Sequence, residues 1–135
     1  MDKRVTRSIL FALLFVWQLP QNLVALAIMP FLGKLRMVTC RNYCIGLAGK
    51  RFPERAGGIS LGNFAFFHPD TAHDEFTIRH EMDGHTVDSK IFGPLYLLVI
   101  GIPSILHIIF MKKGGRYYDF YTERWANKHA GIFKN

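Results

Sequence analysis

Apolar residues fall in two blocks along the chain, separated by a polar and basic middle. The first block runs from Ser8 to Gly33 without a formal charge, and the second runs from Ile91 to Met111. Each block is long enough to cross a bilayer once as a helix of about 20 residues. The pattern predicts one membrane-associated domain over residues 1–135, mainly α with a minor β component.

The first block is interrupted by Gln18-Leu19-Pro20-Gln21-Asn22. Pro20 has no backbone N–H and the amides place polar groups near mid-membrane depth, so we expect a kink here. Residues 8–33 then form either a kinked transmembrane helix, which their length favours, or a shallow helical hairpin in the interface. The interruption and the apolar residues beyond Ala27 count against a cleaved signal peptide.

The middle of the chain divides into a basic part and an aromatic part. Residues 34–57 carry six Lys or Arg residues and predict a basic, membrane-apposed connection with one short helix. Residues 58–90 begin with the aromatic run Ile59 to Phe67, which predicts a short strand or hairpin. Asp74 then predicts the cap of a helix that starts near Glu75.

Charge and cysteine content narrow the possible partners. Lys and Arg number 17 against 10 Asp and Glu, a net charge of +7, and they cluster beside the apolar blocks. This distribution favours membrane lipids as partners. It disfavours nucleic acid, because no aromatic residues are interleaved with the basic ones as in recognition modules. Cys40 and Cys44 have the spacing of neither a zinc knuckle nor a redox pair, which indicates two small semi-buried thiols.

The candidate chemistry begins at His80-Glu81-Met82-Asp83-Gly84-His85, an H-E-x-x-G-H pattern. In the H-E-x-x-H helix of zinc proteases, two histidines about 40° apart bind one Zn²⁺, and the glutamate acts as general base on the bound water. A spacing of five residues places His80 and His85 about 140° apart on a regular α-helix. A one-residue π-bulge, for which Asp83 and Gly84 are suitable, would restore one shared site. The alternative is two polar histidines on an exposed helix.

A third ligand is expected on a C-terminal helix within residues 112–135. Glu123 would complete the His₂Glu set of catalytic zinc sites. Asn127, four residues later, lies on the same helical face and would orient one of the ligands by a hydrogen bond. The alternative for Glu123 is a surface carboxylate paired with a neighbouring base. The nearby tyrosines are expected to pack or to lie at the interface: Tyr117, Tyr118 and Tyr121.

The second apolar block, residues 91–111, tests this hypothesis. If it spanned the bilayer once, Glu123 would lie on the opposite side from the histidines, so a shared site requires the chain to return. Gly93-Pro94 near the start and Gly101-Ile102-Pro103-Ser104 near the centre predict a re-entrant hairpin with arms of about 10 residues. His107 is expected to be a polar residue within this block rather than a fourth ligand.

Together these motifs resemble the membrane-embedded minigluzincins, the metallopeptidases that include C-a-a-X-processing and heat-shock membrane proteases. Four stretches look more closely like a family of small, largely uncharacterised bacterial membrane proteins: WQLPQNLVAL, GGISLGNFAFF, RHEMDGHTVDSKIFGPLYLLVIGIPS and YYDFYTERWANKHAGI. Members of that family usually read H-E-x-G-H and then E-x-x-A-D. This chain has one extra residue in the first motif and Asn127 in place of the aspartate of the second.

The resemblance implies a zinc metallopeptidase of the bacterial cytoplasmic membrane, which hydrolyses peptide or protein substrates near the bilayer. By this similarity His80, His85 and Glu123 are the zinc ligands, and Glu81 activates the water. The strand at Ile59 to Phe67 would lie beside the active-site helix and hold an extended peptide by strand addition. Two alternatives remain: an inactive binding or structural subunit of the same fold, and a basic membrane-surface adaptor without a metal site.

Overall fold

The structure, a computed structural model, describes residues 2–53, 57–110 and 120–132. These residues are mostly helical and include a small mixed sheet, which agrees with the predicted mainly-α class with a minor β component. The helices are α1 (Lys3–Trp17), α2 (Leu19–Ile28), α3 (Glu75–Arg79), α4 (Thr86–Phe92), α5 (Ile102–Phe110) and α6 (Tyr121–His129). Two π-helical segments, His80–His85 and Leu97–Gly101, and two 3₁₀ turns, Met29–Phe31 and Gly93–Leu95, lie between them. The strands are β1 (Leu35–Arg41), β2 (Cys44–Gly49), β3 (Gly58–Leu61) and β4 (Phe64–Phe67).

The four strands form one sheet in the order β1-β2-β4-β3, and β3 is an edge strand. The pairs β1–β2 and β3–β4 are antiparallel, whereas β2 and β4 are parallel. Successive residues of β4 alternate between two cores because side chains along a strand point to opposite faces. Phe67 packs with Ile78 and Met82 on one face, and Phe66 packs with Ala25 of α2 on the other. The sheet therefore packs between the N-terminal helices on one face and the segment that contains His80–His85 on the other.

The expectation of a basic connection with a short helix over residues 34–57 is wrong. Its described residues contain strands β1 and β2, joined by a two-residue turn in which Asn42 and Tyr43 both have positive φ. Such φ values are typical of the type I′ turn that matches the twist of a hairpin. A register shift between Met37 and Thr39 interrupts the alternation of β1, and so hides the strand pattern in the sequence.

The other predicted elements of the middle region are present. Ile59 to Phe67 form the β3–β4 hairpin with a tight turn at Gly62 and Asn63. The carboxylate of Asp74 accepts a hydrogen bond from the backbone N–H of Thr77 and caps α3, which begins at Glu75.

The predicted kink in the first apolar block is a sharp bend at Gln18. Helix α1 meets the following helical segment, Leu19–Phe31, at 91°. Buried amides stabilise the bend: Gln18 Nε2 and Asn22 Nδ2 both donate to Asn63 Oδ1, at 3.0 and 3.2 Å. Ser89 of α4 donates to Gln18 Oε1 at 2.5 Å. The polar interruption of the block is therefore the point at which α1 and α2 are joined to the hairpin and to α4.

The second apolar block also returns, but at a different position. The chain bends by 119° between Leu95 and Leu97, after Gly93-Pro94. The expected turn at Gly101 to Ser104 is wrong, because these residues lie inside the helical run of Leu97–Gly101 and α5. Pro103 cannot donate to the carbonyl of Val99, and the Tyr121 hydroxyl donates to that carbonyl instead, at 2.6 Å.

Among the described helices, no single one has both the length and the apolar character needed to cross a bilayer. Two bent pairs reach that length and composition only together: Lys3–Trp17 with Leu19–Phe31, and Glu75–Leu95 with Leu97–His107.

Candidate metal centre

The segment His80–His85 is a π-helical turn, the geometry that a site shared by two histidines five residues apart requires. The turn brings the two imidazole rings to a centroid separation of 4.8 Å. Side chains satisfy the carbonyl groups of this widened turn: Ser60 Oγ donates to Glu81 O at 2.7 Å, and Asn42 Nδ2 donates to Met82 O at 3.1 Å. Thr86 Oγ1 also donates to Met82 O. The extra residue of the motif is thus accommodated without displacing either histidine.

Helix α6 crosses this turn at Gly84. A Cβ atom at Gly84 would lie 2.3 Å from the carbonyl oxygen of Ala126, so only glycine allows the two backbones to approach this closely. Glu123 and Asn127 flank Ala126 on α6 and are both buried. The glycine of the motif therefore serves the packing that brings the second motif to the first.

His80 makes two short contacts with α6. Its Nε2 lies 2.6 Å from Glu123 Oε2, and its Nδ1 lies 2.6 Å from Asn127 Oδ1. The amide oxygen of Asn127 accepts the Nδ1 proton, and this hydrogen bond directs Nε2 at the Glu123 carboxylate. Asn127 is placed to orient a ligand, the role that the sequence analysis expects of it.

His85 lies against the same carboxylate and against a residue that the sequence analysis missed. Its Nε2 is 3.6 Å from Glu123 Oε2, and its Nδ1 is 3.5 Å from Asp88 Oδ2. Asp88 is fully buried, and its other oxygen lies 2.7 Å from Nδ1 of His129. Asp88 follows His85 by three residues, a spacing that places both side chains on one helical face. This spacing could have identified Asp88 as a neighbour of His85 from the sequence.

Glu81 borders the histidines on the side of the sheet. One ligand atom from each of His80, Glu81 and His85 falls within 4.8 Å of the others. The hydroxyl of Ser60, on edge strand β3, lies 2.7 Å from Glu81 O and 3.0 Å from Glu81 Oε2, so its one proton is shared between these two acceptors. The carboxylate is therefore held beside the two imidazoles with one oxygen already hydrogen bonded.

The electrostatics of the cluster favour a buried positive charge. Burial by itself would raise the pKa of Glu123, but the hydrogen bond to His80 and the nearby His85 ring hold this pKa well below its usual range. Burial by itself would lower the pKa of His85, but the carboxylates of Asp88 and Glu123, 3.5 and 3.6 Å from its ring nitrogens, keep this pKa well above its usual value. In the metal-free protein, a protonated imidazole accordingly supplies the charge that balances Glu123.

The donor set and the available space both suit a metal ion. A cavity of about 30 Å³, larger than the 10–15 Å³ or so that one water molecule needs, borders Glu81, His85 and Glu123 but not His80. Ligand atoms around a tetrahedral Zn²⁺ lie about 3.3 Å apart for bonds of about 2.0 Å. The distances of 2.6 and 3.6 Å from Glu123 Oε2 to the two Nε2 atoms bracket that value. The group of His80, Glu81 and His85 could hold a metal ion, and Glu123 lies close to both of its histidines.

The remaining candidates lie around this centre or outside the described residues. His107 stacks on Phe120 with ring centroids 4.2 Å apart, and Tyr121 packs edge to face on Trp125. Tyr117 and Tyr118 lie outside the described residues, as does Arg55 of the basic segment. Cys40 is exposed and Cys44 is buried, and both are free thiols. Comparison with protein families, with curated proteins and with solved structures finds no match to this chain.

Proposed function

We propose that this chain is a membrane-associated zinc metallopeptidase of the bacterial cytoplasmic membrane, with a minigluzincin-like helical core. The observation that carries the proposal is the convergence of His80 and His85, on one π-helical turn, with Glu123 from a separate helix. The three side chains are buried, and the Nε2 atoms of both histidines lie within 3.6 Å of one carboxylate oxygen. Glu81 stands beside them as a second carboxylate.

The ligands in this proposal are His80, His85 and Glu123. A Zn²⁺ ion bound by them would make a water molecule nucleophilic at neutral pH and polarise the scissile carbonyl. Glu81 takes the proton of the attacking water and passes it to the leaving amine, so it acts first as base and then as acid. Ser60 orients the Glu81 carboxylate through the hydrogen bond to Oε2. Asn127 orients the ring of His80 through its hydrogen bond to Nδ1, and the Asp88 carboxylate lies 3.5 Å from Nδ1 of His85.

The position of β3 supports peptide as the substrate. This strand is at the edge of the sheet, and a Cβ at Gly58 would lie 2.9 Å from Cγ of Glu81. An extended peptide that added to this edge would run beside the base with its main chain hydrogen bonded. The geometry thus favours hydrolysis within an extended segment.

The exposed surface supports association with membrane lipids. Large apolar side chains are exposed over α1, α2 and the segment from Ile91 to Phe110, among them Leu13, Val16, Leu23, Leu98 and Phe110. Water-soluble monomers rarely expose contiguous apolar surface of this extent. Basic residues flank the first apolar block, and the head groups of anionic lipids attract such charge.

Metal content tests the centre. We expect the full chain, purified in dodecyl maltoside without chelators, to contain one zinc per molecule by mass spectrometry. The variants His80→Ala, His85→Ala and Glu123→Ala should each lose it, whereas His73→Ala, at an exposed histidine, should keep it. Metal-free wild-type protein would contradict the proposal and favour the membrane-surface adaptor.

Hydrolysis tests the chemistry. With fluorescein-labelled casein and a quenched fluorogenic peptide library in micelles, we expect Glu81→Gln to lower the rate by about 10²–10⁴-fold while zinc content is unchanged. Glu75→Gln is the matched control, because Glu75 is exposed and its 3.7 Å ion pair with Arg41 is weak. A zinc-loaded wild type that cleaves none of these probes would favour the inactive subunit of the same fold.

A further inference from the structure

Three hydroxyl groups of the described residues line the cavity of the candidate metal centre: those of Ser60, Tyr96 and Ser104. Two of them are already used inside the protein. Ser60 Oγ donates to Glu81, and Tyr96 Oη donates to the carbonyl oxygen of Ser60 at 2.9 Å. Ser104 Oγ is buried and has no hydrogen-bond partner among the described residues. The hydroxyl of Ser104 is therefore the one of these three that makes no hydrogen bond to the described residues.

An unpaired buried hydroxyl is unfavourable and calls for an explanation. A serine within a helix commonly bonds to the carbonyl four residues earlier, but Ser104 does not make that bond. Ser104 lies one helical turn after Gly101, and both residues line the cavity. The side chains of Ile102 and Leu106 on the same helix are exposed instead. The hydroxyl therefore lies on the wall that α5 presents to Glu81, His85 and Glu123.

We infer that Ser104 Oγ–H donates a hydrogen bond to the carbonyl oxygen of the peptide group that is cleaved. This inference rests on the proposed peptidase function and adds a residue that contacts the substrate. When water attacks the carbonyl carbon, the C=O π electrons move to oxygen, and a prepositioned donor stabilises the charge that develops there. Ser104 keeps its proton throughout, since Glu81 carries the proton of the water to the amine.

Acetohydroxamate, whose carbonyl oxygen resembles that of a peptide, is the probe for this contact. Full-length protein in dodecyl maltoside is loaded with one Co²⁺ per chain, and the visible spectrum follows binding. We expect Ser104→Ala to weaken acetohydroxamate binding by about 10-fold, which is typical for loss of a hydrogen bond to a charged group. Ser104→Thr, which keeps the hydroxyl, should restore the affinity.

Thermal stability separates a binding role from a structural one. Because the hydroxyl is unpaired, Ser104→Ala should leave the melting temperature unchanged or raise it. Tyr96→Phe is the contrast: it removes a hydroxyl that is already bonded to Ser60 and should lower the melting temperature.

Two results would overturn the inference alone: equal affinity of wild type and Ser104→Ala, or a parallel loss of affinity and stability in Ser104→Ala. A Co²⁺-loaded wild type that does not bind acetohydroxamate would contradict the metallopeptidase proposal and this inference together. The experiment therefore distinguishes failure of the Ser104 contact from failure of the function.

Discussion

Replacing Gly84 with alanine should separate the two halves of the proposed metal centre. The added Cβ would lie 2.3 Å from the carbonyl oxygen of Ala126, whereas ordinary van der Waals contact begins at 3.4 Å. Helix α6 must then move outward by about 1 Å, because the opposing group is backbone and no side chain can rotate away. Glu123 and Asn127 would move with it, away from the two His80 nitrogens from which each lies 2.6 Å in the wild-type protein.

We expect Gly84→Ala to lower the free energy of unfolding by about 1–3 kcal/mol, the usual cost of overpacking. Metal affinity should fall by about 10–100-fold, as for loss of an orienting partner. Competition with a chromophoric chelator measures the affinity, and thermal denaturation measures the stability. Gly101→Ala is the control for stability, since its Cβ would meet side-chain atoms of Leu97 at 3.1 Å and Tyr96 at 3.7 Å and no backbone of another helix. Wild-type affinity and stability in Gly84→Ala would refute the reasoning about the close helix contact.

Three further predictions concern the surroundings of the centre. Asn127→Ala should weaken metal binding by about 10–100-fold and Asn127→Asp should not, as the same chelator competition would show. The raised pKa of His85 in the metal-free protein means that this ring is protonated at neutral pH, so metal binding must release a proton and tighten as pH rises toward that pKa. Calorimetry in buffers of different ionisation enthalpy measures the number of protons released. A metal affinity that does not change between about pH 6 and pH 8 would contradict this prediction. Asn63→Ala should lower the free energy of unfolding by about 2–4 kcal/mol, because the amides of Gln18 and Asn22 lose their shared acceptor, whereas a loss below about 1 kcal/mol in denaturant titration would count against the amide network.

Local spacing carried most of the information about the site. If His80 and His85 share one site, the five-residue interval between them requires a π-helical turn, because a regular α-helix places the two rings about 140° apart. The four-residue interval between Glu123 and Asn127 likewise predicts a common face. Asp88 was open to the same reasoning but was overlooked, since an aspartate three residues after a histidine is also common on exposed helices.

The sheet was harder to predict because its determinants are not local. The charges of residues 34–57 pointed to a connection, yet Arg36 and Arg41 lie within a strand whose pairing depends on β2. The parallel pairing of β2 with β4 joins segments about 20 residues apart, and sequence periodicity does not reveal that partnership. The return of the second apolar block was expected, but proline and glycine occur at both Gly93-Pro94 and Gly101–Pro103, and only tertiary contacts select the first.

The amide cluster of Gln18, Asn22 and Asn63 acquires a further meaning if the chain lies in lipid. Acyl tails are as apolar as leucine, so apolar packing supplies little net attraction between helices there. Hydrogen bonds between buried amides persist in that medium, where water does not compete for them. The first two helices would then stay attached to the hairpin through polar contacts in either solvent. A domain held by such hydrogen bonds keeps the same arrangement of α1, α2 and the hairpin in water and in the membrane.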